Sequence, residues 1–185
     1  MKTIVLASIL SIFLLKSDAP TTIYDYKINT LGEETQQVSF ADFKGKKILI
    51  VNTACKSPNT FQIEQMQKLY RAYKEKLVVV AFPSGDDFGD QEFKTNPEIR
   101  DFFTYTYGVT FPVAEKTTTI GSMRHPVFSY LLTEANKLGY DEPVIKWPFT
   151  KFLLDENGKL ITVFPADVTP MSTEVTSYLN NSRNF

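Results

Sequence analysis

The chain has 185 residues, 43% hydrophobic and 22% charged, which suits one globular domain with a sizeable core. Its single cysteine, Cys55, and single histidine, His125, exclude an intramolecular disulfide, a CxxC redox pair, a cysteine-built zinc site and a two-histidine metal site. The 20 basic residues nearly balance the 21 acidic ones and are dispersed, so the sequence argues against nucleic acid as a partner.

Residues 1–19 are predicted to form a secretory signal peptide. Lys2 precedes an apolar run from Ile4 to Leu15, which is too short for a bilayer span and of the right length for the core of a signal. Ser17 and Ala19 form a small-x-small cleavage site. A buried first helix and an uncleaved anchor are the alternatives. On the signal-peptide interpretation the protein is exported, to the periplasm or outside the cell. It then keeps no stable membrane span after processing and is a single domain over residues 20–185.

Two buried parallel strands and a connecting helix are predicted near the middle of the chain. Lys47 to Thr53 and Leu77 to Phe82 are largely apolar runs, of the kind that is buried on both faces of a parallel sheet. From Thr60 to about Lys74, apolar residues recur at helical spacing. Asn59 is the predicted cap of this helix, with Gln62 three residues on.

Three further helices are predicted after a turn-rich loop over residues 83–96. Asn96 as cap and Pro97 at the first position begin one helix, and Pro126 begins the next. The last helix is predicted to run from about Thr173 to Leu179.

A hairpin is predicted between the last two of these helices. Thr150 to Asp155 and Leu160 to Phe164 flank Glu156-Asn157-Gly158-Lys159, in which Asn-Gly is a strong signal for a tight turn. A βαβ unit, then helices, then ββα is the element order of an α/β protein with a thioredoxin-like fold. This fold has a central mixed sheet flanked by helices.

Cys55 lies in the loop between the first buried strand and its helix, Asn52 to Asn59. In open α/β sheets ligands bind at the carboxyl ends of strands, and a helix N-terminus favours a thiolate. Cys55 is therefore a candidate nucleophile, with Lys56 as a neighbouring cation. The alternative is that Cys55 is a small apolar residue buried at a strand end.

From about Thr22 to Phe164 the sequence resembles the glutathione peroxidase family. The motifs that carry the resemblance are Phe82-Pro83, Phe88-Gly89 with Gln91-Glu92, Tyr107-Gly108-Val109-Thr110-Phe111-Pro112, His125-Pro126, and Ile145-Lys146-Trp147 with Phe149-Thr150-Lys151-Phe152. The resemblance implies a thioredoxin fold and the thiol-dependent reduction of hydroperoxides in oxidative stress defence. It implies no cofactor, and an external thiol, such as glutathione or a redox protein, as the reductant.

Most of the catalytic positions that the resemblance implies are substituted. The family's active loop reads N-x-A-S-K-C-G, so Ser57 occupies the nucleophile position and Cys55 lies two residues earlier. Asp87 replaces a glutamine, and Pro148 replaces the asparagine that follows the retained Trp147. A serine hydroxyl has no counterpart to sulfenic acid formation, which excludes peroxide chemistry at Ser57. We expect Asp87 to raise the pKa of a nearby thiol and Pro148 to remove an amide donor.

Two other sets of polar residues are interpreted as structural. Four carboxylates lie within seven residues and could bind a hard cation such as calcium: Asp86, Asp87, Asp90 and Glu92. Their spacing does not match an EF-hand loop, and we expect a solvated acidic loop. His125 precedes a proline at a predicted helix start, where we expect a structural role.

Two functional hypotheses follow. The first is an exported thiol peroxidase that uses Cys55 as a displaced nucleophile, Trp147 as a wall and Lys56 as thiolate support, with a hydroperoxide and a thiol reductant as its partners. The second is a catalytically inactive member of the family that keeps the fold as a binding or structural module. Family resemblance supports the first, and the substituted residues favour the second.

Overall fold

The fold is described from a computed structural model that defines residues 22–32 and 36–180. The predicted signal peptide, residues 1–19, lies outside the described residues. Within the described part of the chain, no helix is both long and apolar enough to cross a bilayer.

Four strands form the central mixed sheet, after a short antiparallel hairpin. The hairpin strands are β1 (Lys27–Thr30) and β2 (Gln36–Ser39), and the sheet strands are β3 (Lys47–Thr53), β4 (Leu77–Pro83), β5 (Lys151–Leu154) and β6 (Leu160–Phe164). The sheet order is β4-β3-β5-β6, with β3 parallel to β4 and the other pairs antiparallel. This confirms the predicted mixed sheet and the hairpin around Asn157-Gly158. The β1–β2 hairpin was not predicted, because most of its side chains are exposed or only half-buried and carry no apolar pattern.

Helix α1 (Gln62–Tyr73) connects β3 to β4 and begins two residues later than predicted. Its first residues are not capped by Asn59, because Phe61 holds the cap position in helical conformation without a side-chain bond. Gln62 is buried, and its amide donates to the carbonyl of Ala166 at 2.7 Å. The predicted capping pair is therefore wrong, and Gln62 instead ties the start of α1 to the segment after β6.

The next helix, α2 (Asn96–Asp101), is capped by Thr95 and not by Asn96. Thr95 and Glu98 form a reciprocal capping box, with Pro97 in the first turn as predicted. The helix continues into one π-helical turn, Phe102–Thr106.

The last two helices, α3 (Pro126–Lys137) and α4 (Thr173–Asn180), confirm the predictions. His125 caps α3, with its Nδ1 accepting the N–H of Val127 at 3.3 Å and its ring packed on Phe82. Burial lowers the pKa of His125. His125 therefore has the expected structural role, as the cap of α3 and a packing partner of Phe82.

Each face of the sheet buries its own apolar cluster, because side chains alternate along the strands. Ile48 and Ile50 pack on one face, under α3. Leu49 and Val51 pack on the other face, under α1 and α4. Cys55 belongs to the second cluster.

Candidate functional site

The two loops that carry the candidate residues leave the same edge of the sheet. The register pairs Thr53, at the end of β3, with Pro83, at the end of β4. The N–H of Ser84 donates to the carbonyl of Thr53 at 2.8 Å, which continues the pairing into the loops. The Cys55 loop and the acidic loop therefore meet, as expected at the carboxyl ends of parallel strands.

The thiol of Cys55 is buried in the core, beside a carboxylate. Only 5% of the residue is exposed, and its main-chain N–H donates to Oε1 of Glu92 at 3.2 Å. Burial raises the pKa of the Cys55 thiol, and the charge and the hydrogen bond of Glu92 raise it further. Lys56 acts in the opposite direction and has the smallest of these effects. Lys56 lowers the pKa of the thiol, as predicted, but burial and Glu92 raise that pKa by more.

Glu92 is fully buried, so the prediction of a solvated acidic loop is wrong for this residue. Its carboxylate accepts the N–H groups of Cys55, Gly85 and Phe93. Burial raises the pKa of Glu92, and the thiol of Cys55 and the three main-chain donors act against that rise. The sequence offered no signal that this carboxylate would turn inward.

The remaining acidic side chains of this loop point to solvent or to other partners. Asp86 pairs with Lys116 and Asp90 with Lys94, and both aspartates are exposed. Oδ2 of Asp87 accepts the N–H of Thr119 at 2.6 Å and its hydroxyl at 2.8 Å. The carboxyl group that raises the Cys55 pKa is that of Glu92, which corrects the expectation that named Asp87.

Ser57, at the position that the family resemblance assigns to the nucleophile, takes part in a turn. The residue is 3% exposed, and its Oγ accepts the N–H of Asn59 at 3.2 Å. Because α1 begins only at Gln62, its first turn lies several residues beyond this hydroxyl.

Trp147, which is predicted to form a wall of the site, lies near this edge of the sheet with its side chain partly exposed. It is 44% exposed and packs on Phe88, with ring centroids 5.9 Å apart. Its carbonyl accepts the side chains of Asn52 and Thr150. The next residue, Pro148, is buried and has neither a side-chain amide nor an N–H to offer.

A groove of about 300 Å³ runs beside Trp147. Its apolar lining includes Tyr140, Pro143, Val144 and Pro165. Neither Cys55 nor Ser57 lines this groove, so it does not lead to the candidate nucleophile.

Lys151, in the middle of the sheet, was missed as a residue of interest. It is fully buried, and its ammonium donates to the carbonyls of Phe149, Pro165 and Ala166 at 2.6, 3.4 and 3.4 Å. Burial lowers its pKa to about 7, against the opposing charge of Asp167. The sequence signal for this residue is a lysine within a largely apolar predicted strand. Among residues 22–32 and 36–180, no cluster of three acidic, histidine or cysteine side chains is arranged to hold a metal ion.

Comparison with known proteins identifies what this arrangement is similar to. The sequence model of the family described as glutathione peroxidase matches residues 23–132. A glutathione peroxidase of Lactococcus lactis is 39% identical over 82% of this chain and 94% of its own length. The crystal structure of Trgpx in apo form superposes with a TM-score of 0.64 at 30% identity, covering 87% of this chain and 97% of that one. A thioredoxin-family thiol:disulfide interchange protein of Chlorobium tepidum, 18% identical, superposes with a TM-score of 0.54 over 83% of this chain and 89% of its own. The thioredoxin-like fold is confirmed by these likenesses.

Proposed function

The chain belongs to the glutathione peroxidase family, and on that premise we propose that it is a member whose folded state does not reduce hydroperoxides and whose fold serves as a binding or structural module. Family membership supports a thiol peroxidase function. The observation that carries the proposal is the burial of Cys55, the one thiol in the chain, beside the buried carboxylate of Glu92.

Reduction of a hydroperoxide needs an exposed thiolate. The sulfur attacks the distal peroxide oxygen, the O–O bond breaks, the sulfur is oxidised to a sulfenic acid, and the alkoxide leaves with a proton as an alcohol. The thiol of Cys55 is neither exposed nor ionised, and the hydroxyl of Ser57 cannot be oxidised in this way. Asp87 and Pro148 supply no amide donor for a thiolate.

A slow peroxidase reaction at Cys55 is the second candidate. Its support is the location of Cys55 in the loop where the family has its nucleophile, together with the cation of Lys56, which lowers the thiol pKa. This reaction would require the loop to open, and an external thiol would have to reduce the sulfenic acid, because the chain contains no second cysteine.

Stopped-flow kinetics separate the two candidates. Hydrogen peroxide and a lipid hydroperoxide are each mixed with the parent protein and with Cys55→Ser, with glutathione or a dithiol redox protein as reductant. The proposal predicts equal background rates for both proteins. Peroxide consumption that is faster in the parent and is lost in Cys55→Ser would overturn it.

We also propose that residues 1–19 direct export of the protein. The support is the short apolar run after Lys2 and the small residues at Ser17 and Ala19. The mass of the protein recovered from a secreting host is expected to match a chain that begins near Pro20. Retention of residues 1–19 on the exported protein would contradict a cleaved signal.

A further inference from the structure

The carboxylate of Glu92 joins two loops that the chain keeps far apart in sequence. Its Oε1 accepts the N–H of Cys55 at 3.2 Å and that of Phe93 at 3.1 Å, while Oε2 accepts the N–H of Gly85 at 3.4 Å. The backbone reinforces the junction, because Lys56 donates its N–H to the carbonyl of Gln91 at 2.9 Å. The loop after β3 and the loop after β4 are thus tied through one side chain.

The burial of this carboxylate constrains the thiol beside it. Glu92 is fully buried and Cys55 nearly so, and an ionised carboxylate away from water needs donors on its oxygens. The thiol of Cys55 lies beside this carboxylate and lowers its pKa. An ionised sulfur at the same place would put two anions side by side without water, so the arrangement favours the S–H form.

The other charges nearby are placed at the surface. Lys56 extends over the ring of Phe93, with its Nζ 5.6 Å from the ring centroid. Asp90 is exposed and paired with Lys94, and Asp86 is exposed and paired with Lys116. Glu92 is therefore the charged group that faces the thiol from within the protein.

We propose that Glu92 is a positioning residue that closes the site, because its buried carboxylate both locks the Cys55 loop onto the acidic loop and keeps the Cys55 sulfur in the S–H form. This inference deepens the proposed function, on which it rests: it names a residue that restrains the Cys55 thiol in the folded protein.

Thiol alkylation by iodoacetamide, followed from about pH 7 to pH 10 by mass spectrometry, tests the proposal on the full chain. Glu92→Gln keeps an acceptor oxygen for the main-chain donors and replaces the charge with an amide that can donate to a thiolate. Its alkylation rate at neutral pH is expected to rise at least about tenfold over the parent, the change that one pKa unit produces, with the rate profile displaced to lower pH.

The matched control is Asp90→Asn, which removes a carboxylate from the same loop. Asp90 has a φ of 46°, a conformation that asparagine tolerates, so this variant is expected to alkylate at the parent rate. A folded Glu92→Gln protein with the rate and pH profile of the parent would overturn the proposal.

A second measurement does not depend on the folding of Glu92→Gln. The carboxyl carbons of ¹³C-labelled glutamates are titrated by NMR in the parent and in Cys55→Ala. Loss of the thiol donor is expected to raise the titration midpoint of Glu92, because its hydrogen bond holds the pKa of that carboxyl down. An unchanged midpoint would show that the thiol and the carboxylate do not interact, and would also overturn the proposal.

These readouts separate this inference from the proposed function. Peroxide turnover in the parent would overturn the proposed inactivity. The alkylation and titration experiments would still report whether Glu92 restrains the thiol.

Discussion

Cys55 donates its main-chain N–H to the carboxylate of Glu92, 37 residues farther along the chain, at 3.2 Å. The contact places the lone thiol at the carboxyl edge of the sheet but directs it into the core under α1. Two residues on, the position at which the family has its nucleophile holds a serine that closes a turn. The loop thus has a sulfur near the family's catalytic position, but this sulfur is buried and is not available to a peroxide.

Restoring a cysteine at position 57 alone is expected to restore little activity. Ser57→Cys places a sulfur at a site that is 3% exposed, and Asp87 and Pro148 offer it no amide donor. We predict a peroxidase rate within about tenfold of the parent for the single variant. Adding Asp87→Gln and Pro148→Asn is expected to raise the rate at least about tenfold further, since each donor to a thiolate lowers its pKa.

Stopped-flow peroxide consumption measures both variants, with urea unfolding to verify that they fold. A single Ser57→Cys variant that matches the triple variant would show that positions 87 and 148 are not what disables the site.

Lys151 is expected to make the protein more stable as the pH rises above neutral. Its folded pKa is about 7 and its ordinary value is 10.5, so the unfolded chain binds more protons between these values. The free energy of unfolding of the parent is predicted to increase from about pH 7 to about pH 8, by at most about 1.4 kcal/mol per pH unit. The window ends there because ionisation of the Cys55 thiol in the unfolded chain opposes the increase at higher pH.

Urea unfolding at several pH values in this window measures the slope, and Lys151→Met is the comparison. The variant is expected to be less stable overall, because the carbonyl of Phe149 loses its donor and those of Pro165 and Ala166 each lose one of two, but its slope should be nearly flat. The same slope in both proteins would show that Lys151 is charged in the fold at these pH values.

At higher pH, Cys55 is expected to make the protein less stable as the pH rises. Its folded pKa is raised, so above the unfolded value of about 8.5 the unfolded chain loses a proton that the folded protein keeps. The stability that the buried S–H contributes is fully present below that value and is lost progressively as the pH rises from it toward the folded pKa. Relative to Cys55→Ser, the parent is predicted to lose stability from about pH 8.5 to pH 9.5, by at most about 1.4 kcal/mol per unit.

Paired unfolding curves of the two proteins under reducing conditions provide this difference. A constant difference across the window would mean that Cys55 ionises as readily in the fold as in the unfolded chain.

A methyl group at Gly85 is expected to distort the acidic loop where its Gln91 carbonyl bonds to the Cys55 loop. A Cβ built there would lie 2.5 Å from the backbone carbon and oxygen of Gln91, which cannot move as a flexible side chain could. Gly85→Ala is predicted to destabilise the fold by about 1–3 kcal/mol and to speed alkylation of Cys55. Gly139→Ala, with a φ of 87° and open space around its Cβ, is the control: it should strain the backbone and leave Cys55 alkylation unchanged. Equal alkylation in both variants would contradict the tight loop junction.

Local patterns were enough to predict most of the fold. The apolar runs of β3 and β4, the Asn157-Gly158 turn and the proline at the start of α3 each specify an element through neighbouring residues, and the structure confirms them. The start of α1 was placed too early because Asn59 has the side chain of a cap. In the fold its N–H instead bonds to the hydroxyl of Ser57.

The site was predictable only in its location. The sequence identified the Cys55 loop and the substituted positions, since those depend on residue identity alone. It did not identify Glu92, because this carboxylate turns inward where N–H groups of the Cys55 loop and of its own loop converge on it, and the sheet register brings the two loops together. Lys151 was missed for the same reason, since two of its three carbonyl partners come from the segment after β6.

The inactivity of Cys55 is tested most directly by comparing its oxidation rate in the folded and in the unfolded protein. The parent protein is exposed to hydrogen peroxide at neutral pH, folded in buffer and unfolded in urea, and the remaining thiol and trapped sulfenic acid are quantified by mass spectrometry. Cys55 is expected to oxidise at least about tenfold more slowly in the folded protein, because the fold buries the sulfur and raises its pKa. Oxidation in the folded protein at or above the unfolded rate, as an activated catalytic cysteine would show, would contradict it.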